Sequence, residues 1–394
     1  MPSLARTKIK GASNRFVARP GGARARLGRA CLGHYSVVIF ILFTALPSAD
    51  AQKILATVPV GTYGQAIGFN PVTHQIFTLD EPTNEITVID GRTFEKTVIP
   101  LGPTPEKSLN GDIQIDPVRN RIYAVNVVNN NIAVIDVDTR SVRFVPAGTH
   151  PIALAINFKT NKIYAVNFDS NNVTVLDGAT LQTRTIAVGV RPSGIAINSK
   201  NNTIYVTNCG SNNVSIIKGN NKVRTIPSGT YPNAVVVNRR TNRAYVANLR
   251  ADTLTVIHGR SKHTRTLAVG RYPFCMVMNE RANKIYLNHQ ALTALTVVDG
   301  RTNAVAHIGA GLTSVGAPDY LAVDEQRNKI YVGEWTTRVT IIDGATNTQS
   351  SVPNPGNNTH KIVANPLANE FYTLNTATMA GNYPDSSVSV FAGP

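Results

Sequence analysis

An all-β fold, a closed ring of repeated four-stranded units, is predicted by three features of the sequence. The first is an aromatic position that recurs at Phe77, Tyr123, Tyr164, Tyr205, Tyr245, Tyr286, Tyr331 and Tyr372, with spacings of 46, 41, 41, 40, 41, 45 and 41. The second is a shared pattern around each copy, QIFTLD, RIYAVN, KIYAVN, TIYVTN, RAYVAN, KIYLNH, KIYVGE and EFYTLN. The third lies at the two ends: Lys53 to Val60 reads as a fourth strand with no first strand before it, and Ser387 to Phe391 reads as a third strand with no fourth after it. A repeating meander of about 40 residues is the signature of a β-propeller. The terminal fragments complete one another, so the N-terminal strand closes the last blade and removes an exposed edge.

Each unit then resolves into four strands. A short apolar strand such as Ala153 to Ile156 comes first, and a polar turn (Asn157 to Asn161) leads into the aromatic strand. An Asn- and Ser-rich loop precedes an alternating strand, Val173 to Asp177, and Gly178 turns the chain into a fourth, Arg184 to Val188. Short runs of Val, Ile, Thr and Tyr bounded by Asn, Asp and Gly are strands and tight turns, and no segment has helical periodicity. Eight blades follow from the count. Seven blades plus one odd unit is the alternative, because the eighth copy carries an insertion at Met379 to Asp385.

The first 51 residues belong to a different regime. Eight Lys and Arg residues between Arg6 and Arg29 precede an apolar run, Val37 to Leu46, followed by Ala49-Asp50-Ala51. A basic segment, a short apolar run and a small-residue exit describe a signal peptide with Gln52 as the first mature residue. Residues 52–394 then form one propeller, exported to the periplasm, cell surface or medium, with no transmembrane anchor in the mature chain. Removing the leader lowers the net charge from +16 to +9, with 31 basic against 22 acidic residues. That surplus favours anionic partners. Cys209 and Cys275 stand in different repeats and read as two isolated thiols.

Ile204 to Asn208 reads IYVTN, and Asn161 to Asn167 (NKIYAVN), Ser170 to Gly178 (SNNVTVLDG) and the recurring Val-Gly-x-x-Pro accompany it. Together they resemble the repeat of the YVTN β-propeller family, over essentially residues 53 to 394. The resemblance implies a secreted or surface-associated protein. It also raises a seven-blade count, common among similar proteins, and links of some similar propellers to nucleic acid binding.

Most polar positions in the repeat read as structural. Asn126, Asn167, Asn208 and Asn248 follow the aromatic strand, and Asp90, Asp177, Asp299 and Asp343 precede turn glycines. Function is expected where the repeat is broken, on the face formed by the links between blades and the loops between second and third strands. The ligand-binding candidates there are His150, Arg191, Tyr231, Arg250, Arg271, Tyr272, His289, Glu334, Trp335 and His360, joined by Tyr63, Asp80, Glu81, Phe168, Asp169 and Asp319. Arginine with aromatic platforms suits an anionic or sugar-containing ligand, since rings stack and guanidinium pairs with phosphate or carboxylate. The opposite face carries twelve Lys and Arg residues on its turns, from Arg119 to Lys329, which read either as an anion-holding annulus or as solubilising charge.

No CxxCH, HExxH, GxSxG or phosphate-cradling glycine loop is present, so no cofactor and no metal are expected. The leading expectation is a monomeric, non-catalytic binding module for a polyanion (nucleic acid or acidic glycan) or a cell-envelope component. A hydrolase or lyase acting at the channel mouth through His150, His289, His360 and Glu334 is the runner-up. A surface-layer or adhesion protein is the third.

Overall fold

The computed structural model describes residues 53–80, 84–101, 112–219, 221–290, 292–309, 321–334, 336–356, 358–376 and 385–393. The segment expected to be a signal peptide therefore lies outside the described residues, as do Glu81, Asp319, Trp335 and most of the Met379 to Asp385 insertion.

Eight antiparallel four-stranded sheets form a ring, and no helix occurs among the described residues. Blade 3 shows the unit: Pro151–Asn157, Lys162–Asn167, Asn172–Asp177 and Thr183–Ala187, from inside to outside. The inner strands of successive blades touch one another, and that of the last blade, Thr359–Asn365, touches that of the first, Gly64–Asn70. The eight-blade count thus holds, and boundaries fall within a residue or two of those expected. The last blade runs Ile54–Thr62, Asp385–Ala392, Glu370–Thr376, Thr359–Asn365, so the N-terminal strand is its outer strand.

Burial explains why second and third strands read as continuous apolar runs. Lys162–Asn167 and Asn172–Asp177 are covered on both sides by neighbouring blades, whereas Thr183–Ala187 exposes all but Ile186. Each core cluster joins two adjacent blades. Tyr123 of blade 2 packs with Leu154 and Ile163 of blade 3, and Tyr245 of blade 5 packs with Met276 and Ile285 of blade 6. The recurrent aromatic is thus the plug between sheets, and its ~41-residue period is the period of the blade.

The closing seam uses the same physics. Val58 and Val60 of the N-terminal strand pack with Tyr372 and Leu374 of blade 8 and with Ile67 and Ile76 of blade 1. The Phe69 and Tyr372 rings lie 5.0 Å apart, and His74 Nε2 meets Glu370 Oε2 at 3.1 Å. On the far side of blade 8, Phe371 stacks between Tyr331 and Phe391 at 4.4 and 4.5 Å.

Candidate functional site

Within a meander, the inter-blade links and the second-to-third-strand loops emerge on one face. The residue before the inner strand adopts a left-handed conformation, with φ of 51° at Tyr63, 58° at His150, 49° at Arg191, 56° at Tyr231 and 50° at Tyr272. Side chains disfavour that region, so each needs external support. Its N–H donates to a side-chain oxygen of the preceding blade: His150 to Asn130, Arg191 to Asn171, Tyr231 to Asn212 and Tyr272 to Asp252, at 2.8–3.0 Å. Its carbonyl accepts from the following loop, as His150 does from Phe168 and Tyr231 from Leu249, both at 2.9 Å. The link is pinned from both sides, and its variable side chain is presented outward.

These pinned positions assemble an arc over blades 3 to 6. His150 Nδ1 lies 2.9 Å from Asp169 Oδ2, and the His150 ring sits 5.6 Å from Phe168. Arg191 places its guanidinium 5.8 Å from the other partner of that ring, the Phe168 centroid. Arg250 covers Tyr231 at 4.4 Å, and Tyr231 also contacts Cys209. Arg271 covers Tyr272 at 5.4 Å. Arg191, Arg250, Arg271 and Tyr272 are exposed. Among the candidates, six (His150, Arg191, Tyr231, Arg250, Arg271 and Tyr272) therefore share this surface. Stacked guanidinium groups are weakly hydrated and keep their donors directed outward, which suits flat or anionic ligands.

His289 and Glu334 do something else. Both are fully buried at the end of the aromatic strand, where other blades carry Asn. Asn167, Asn208 and Asn248 each donate to the hydroxyl seven residues on (Thr174, Ser215 and Thr255) at 2.9–3.0 Å. His289 takes the same place, its Nε2 2.7 Å from Thr296 Oγ1 while its Nδ1 faces the Arg271 carbonyl at 3.0 Å, and Glu334 accepts from Thr340 at 2.5 Å with Arg338 beside it. Burial holds the His289 imidazole down at about 4, so it is neutral at pH 7. Asp80 fills the same place in blade 1, accepting from Thr87 at 2.8 Å, and burial pushes its carboxyl up to about 6. The linking glycine packs against this group: a Cβ on Gly61 would lie 2.7 Å from Asp80 Cγ, and one on Gly189 2.6 Å from Asn208 Cγ. The signal was present in the aligned copies, whose sixth letters are D, N, N, N, N, H, E and N.

His360 lies elsewhere again. It opens into the central channel, a cavity of about 650 Å³ lined by the inner strands. Polar groups there are Gln65, Asp112, Gln114, Ser193, Asn233, Cys275 and Lys361, none of them among the ligand-binding candidates read from the sequence. They occupy inner-strand positions that read as apolar in the better-kept copies, such as Ile152 and Ala153, so only ring closure marks them as lining. Asp112 accepts from the Leu154 N–H at 2.9 Å, and Ser193 donates to the Pro232 carbonyl at 2.9 Å, each tying neighbouring blades together. His150, His289, His360 and Glu334 thus occupy a rim, two blade interiors and a channel. Among the described residues, no three His, Cys, Asp or Glu come together as a metal site. Neither Cys209 nor Cys275 forms a disulfide among the described residues.

On the opposite face, the basic turns are largely committed to the fold. Arg119 pairs with Asp116 at 2.8 Å, Arg239 with Glu280 at 2.6 Å, Arg327 with Asp324 at 3.0 Å, and Lys329 with Asp343 at 3.0 Å. Lys162 pairs with Asp177, and Arg243 and Lys284 each donate to the Gly carbonyl of the next blade's turn at 2.5 Å. The turn aspartates cap backbone as well: Asp177 Oδ1 accepts from Ala179 and Thr180 N–H, and Lys162 together with these two N–H groups holds its carboxyl down at about 2.

Comparison with known proteins gives a likeness of fold. No family model matches the chain, and no curated protein does. Among solved structures, the chain is similar to a Kuenenia stuttgartiensis hydrazine synthase (TM-score 0.53, 20% identity, 67% of this chain and 91% of that one). It is also similar to the virginiamycin B lyase from Staphylococcus aureus (TM-score 0.55, 13% identity, 71% and 93%). A streptogramin B lyase gives TM-score 0.53 at 11% identity over 71% and 92%. At these identities the shared property is the β-propeller.

Proposed function

We propose that this chain is an exported, YVTN-type propeller that binds an anionic or glycan-type ligand through the arc of its pinned rim and carries out no chemistry there. The observation that carries the reading is the row of arginines laid against aromatic rings, Arg191 with Phe168, Arg250 with Tyr231 and Arg271 with Tyr272. The propeller supplies a rigid base, and the left-handed link residues supply variable side chains at fixed positions. The net charge of +9 beyond the leader adds long-range attraction for anions. The test is binding of an acidic polysaccharide and of single-stranded DNA to the purified protein at low and high salt, with Arg191→Ala, Arg250→Ala and Arg271→Ala alongside. Binding that weakens with salt and with each substitution supports the reading, because phosphate or carboxylate contacts are salt-dependent. Absence of binding at low salt overturns it.

A second reading, a lyase or hydrolase at the channel, draws on the 650 Å³ cavity and its grouping of Asp112, His360 and Lys361. The solved lyases with this fold motivate trying virginiamycin B and streptogramin B as substrates. Turnover that survives His360→Ala and Lys361→Ala removes those residues from any such role.

A further inference from the structure

The eight blades supply their own controls for what each turn is built to hold. In blades 2, 3, 6 and 7, the first residue of the aromatic strand is a cation opposite an aspartate on the third strand: Arg121 and Asp136, Lys162 and Asp177, Lys284 and Asp299, Lys329 and Asp343. Between blades 2 and 3 this pair lines a groove of about 240 Å³, together with Ser141, Arg143 and the next blade's turn, Ala179 to Leu181. Its formal charge is +1.

The equivalent positions between blades 4 and 5 carry different side chains. The cation is replaced by Thr203 and the aspartate by Lys218, which face each other in the same register. Lys222 takes the Ser141 place, closing the hairpin through the Lys218 N–H, and Arg224 takes the place of Arg143. Arg260 and Lys262 stand where blade 3 has Ala179 and Leu181; Lys262 and Leu181 share the left-handed conformation, with φ of 64° and 58°. The cationic positions number five, with no carboxylate among the equivalent places. The side chains converge rather than splay. Lys218 Nζ donates to Thr203 Oγ1 at 3.1 Å, and Lys262 folds over the Tyr205 ring at 5.9 Å to donate to its own turn's Gly259 carbonyl. Burial, reinforced by Lys218 and Arg224 facing it, holds the Lys262 ammonium down at about 8. Like charges brought together without an acid raise the free energy of the empty site, and an anion relieves it.

We infer that the cation cluster between blades 4 and 5, formed by Lys218, Arg224 and Lys262 on the face opposite the arginine arc, is a binding site for a tetrahedral oxyanion of the phosphate or sulfate class. Three ammonium or guanidinium groups from two blades match the oxygens of such a group, and neutral Thr203 leaves room where other blades place a cation.

The experiment is calorimetric titration of the purified full-length protein with inorganic phosphate, sulfate and a simple phosphate monoester, with sodium chloride as the control. Lys262 is followed in parallel by NMR of its ε-methylene. The comparison variant gives the positions between blades 4 and 5 the side chains of the groove between blades 2 and 3: Thr203→Arg, Lys218→Asp and Lys262→Leu together, as in Arg121, Asp136 and Leu181. The wild type is expected to bind one oxyanion, with the Lys262 titration moving to higher pH. The rebuilt variant should bind about tenfold or more weakly, as removal of two charges near contact distance requires. Tighter binding of the monoester than of free phosphate identifies an ester-borne group, and the reverse identifies the free ion. No saturable binding, or equal binding by wild type and variant, overturns the assignment. A loss of rim binding in Arg191→Ala leaves this titration unchanged.

Discussion

Replacing Asp80 by asparagine is expected to stabilise the propeller at neutral pH and to leave it unchanged in acid. Asp80 is fully buried in the place where blades 2, 3, 4, 5 and 8 carry Asn, and burial pushes its carboxyl up to about 6 from an ordinary value of 3.8. Below about pH 4 both folded and unfolded chains hold the proton, and the site carries no penalty. As pH rises toward 6 the unfolded chain releases its proton first, which favours unfolding, and above 6 the cost is complete. The difference corresponds to about 3 kcal/mol. Asparagine removes it and brings its own donor: Asn167 Nδ2 reaches Thr174 Oγ1 at 2.9 Å, and Thr87 stands equivalently to Thr174. For a chain of this size that energy corresponds to roughly 4 °C in Tm. Thermal unfolding of wild type and Asp80→Asn followed by circular dichroism from pH 4 to 8 measures it. An equal gain at both ends of the range, or a less stable variant at pH 7.5, would refute the link between burial of this carboxyl and stability.

His289 should show the opposite sign. Its folded imidazole is held down at about 4 against 6.5, so its contribution is complete above pH 6.5 and is lost as pH falls toward 4. In His289→Asn the slope of Tm against pH over that window should be shallower, and an unchanged slope contradicts the assignment. The closing seam is testable through Val58→Ala with Val60→Ala, which empties the contacts with Tyr372 and Leu374. Urea unfolding should register a loss of about 2–4 kcal/mol, because the strand that holds blade 8 together is the one weakened.

Much of the architecture is local, which is why the linear chain reveals it. The aromatic plug of each blade recurs because every blade must fill the same gap against its neighbour, so Tyr123 through Tyr372 mark the blades directly. Closure was readable from Lys53 to Val60 and Ser387 to Phe391, since an orphan fourth strand and an orphan third strand have only each other to pair with. The turn aspartates and the loop Asn pairs are likewise set by hydrogen bonds within two or three residues, such as Asp177 to Ala179 and Thr180.

The sites are another matter, because they are made between blades. Nothing near Arg191 in the chain says that its guanidinium lies against Phe168, which is 23 positions away, or that Tyr231 meets Arg250 across a loop. His289 ends its aromatic strand and Glu334 directly follows its own, and the strand register turns both inward to take the place of an asparagine. The channel lining from Gln65 to Lys361 exists only once the inner strands close into a ring. The sequence alone therefore determined the repeat, the strand order and the closure, because each rests on contacts that recur at fixed spacing. Tertiary structure decided which charges share a groove and which polar groups face solvent, because those depend on where one blade stops and the next begins.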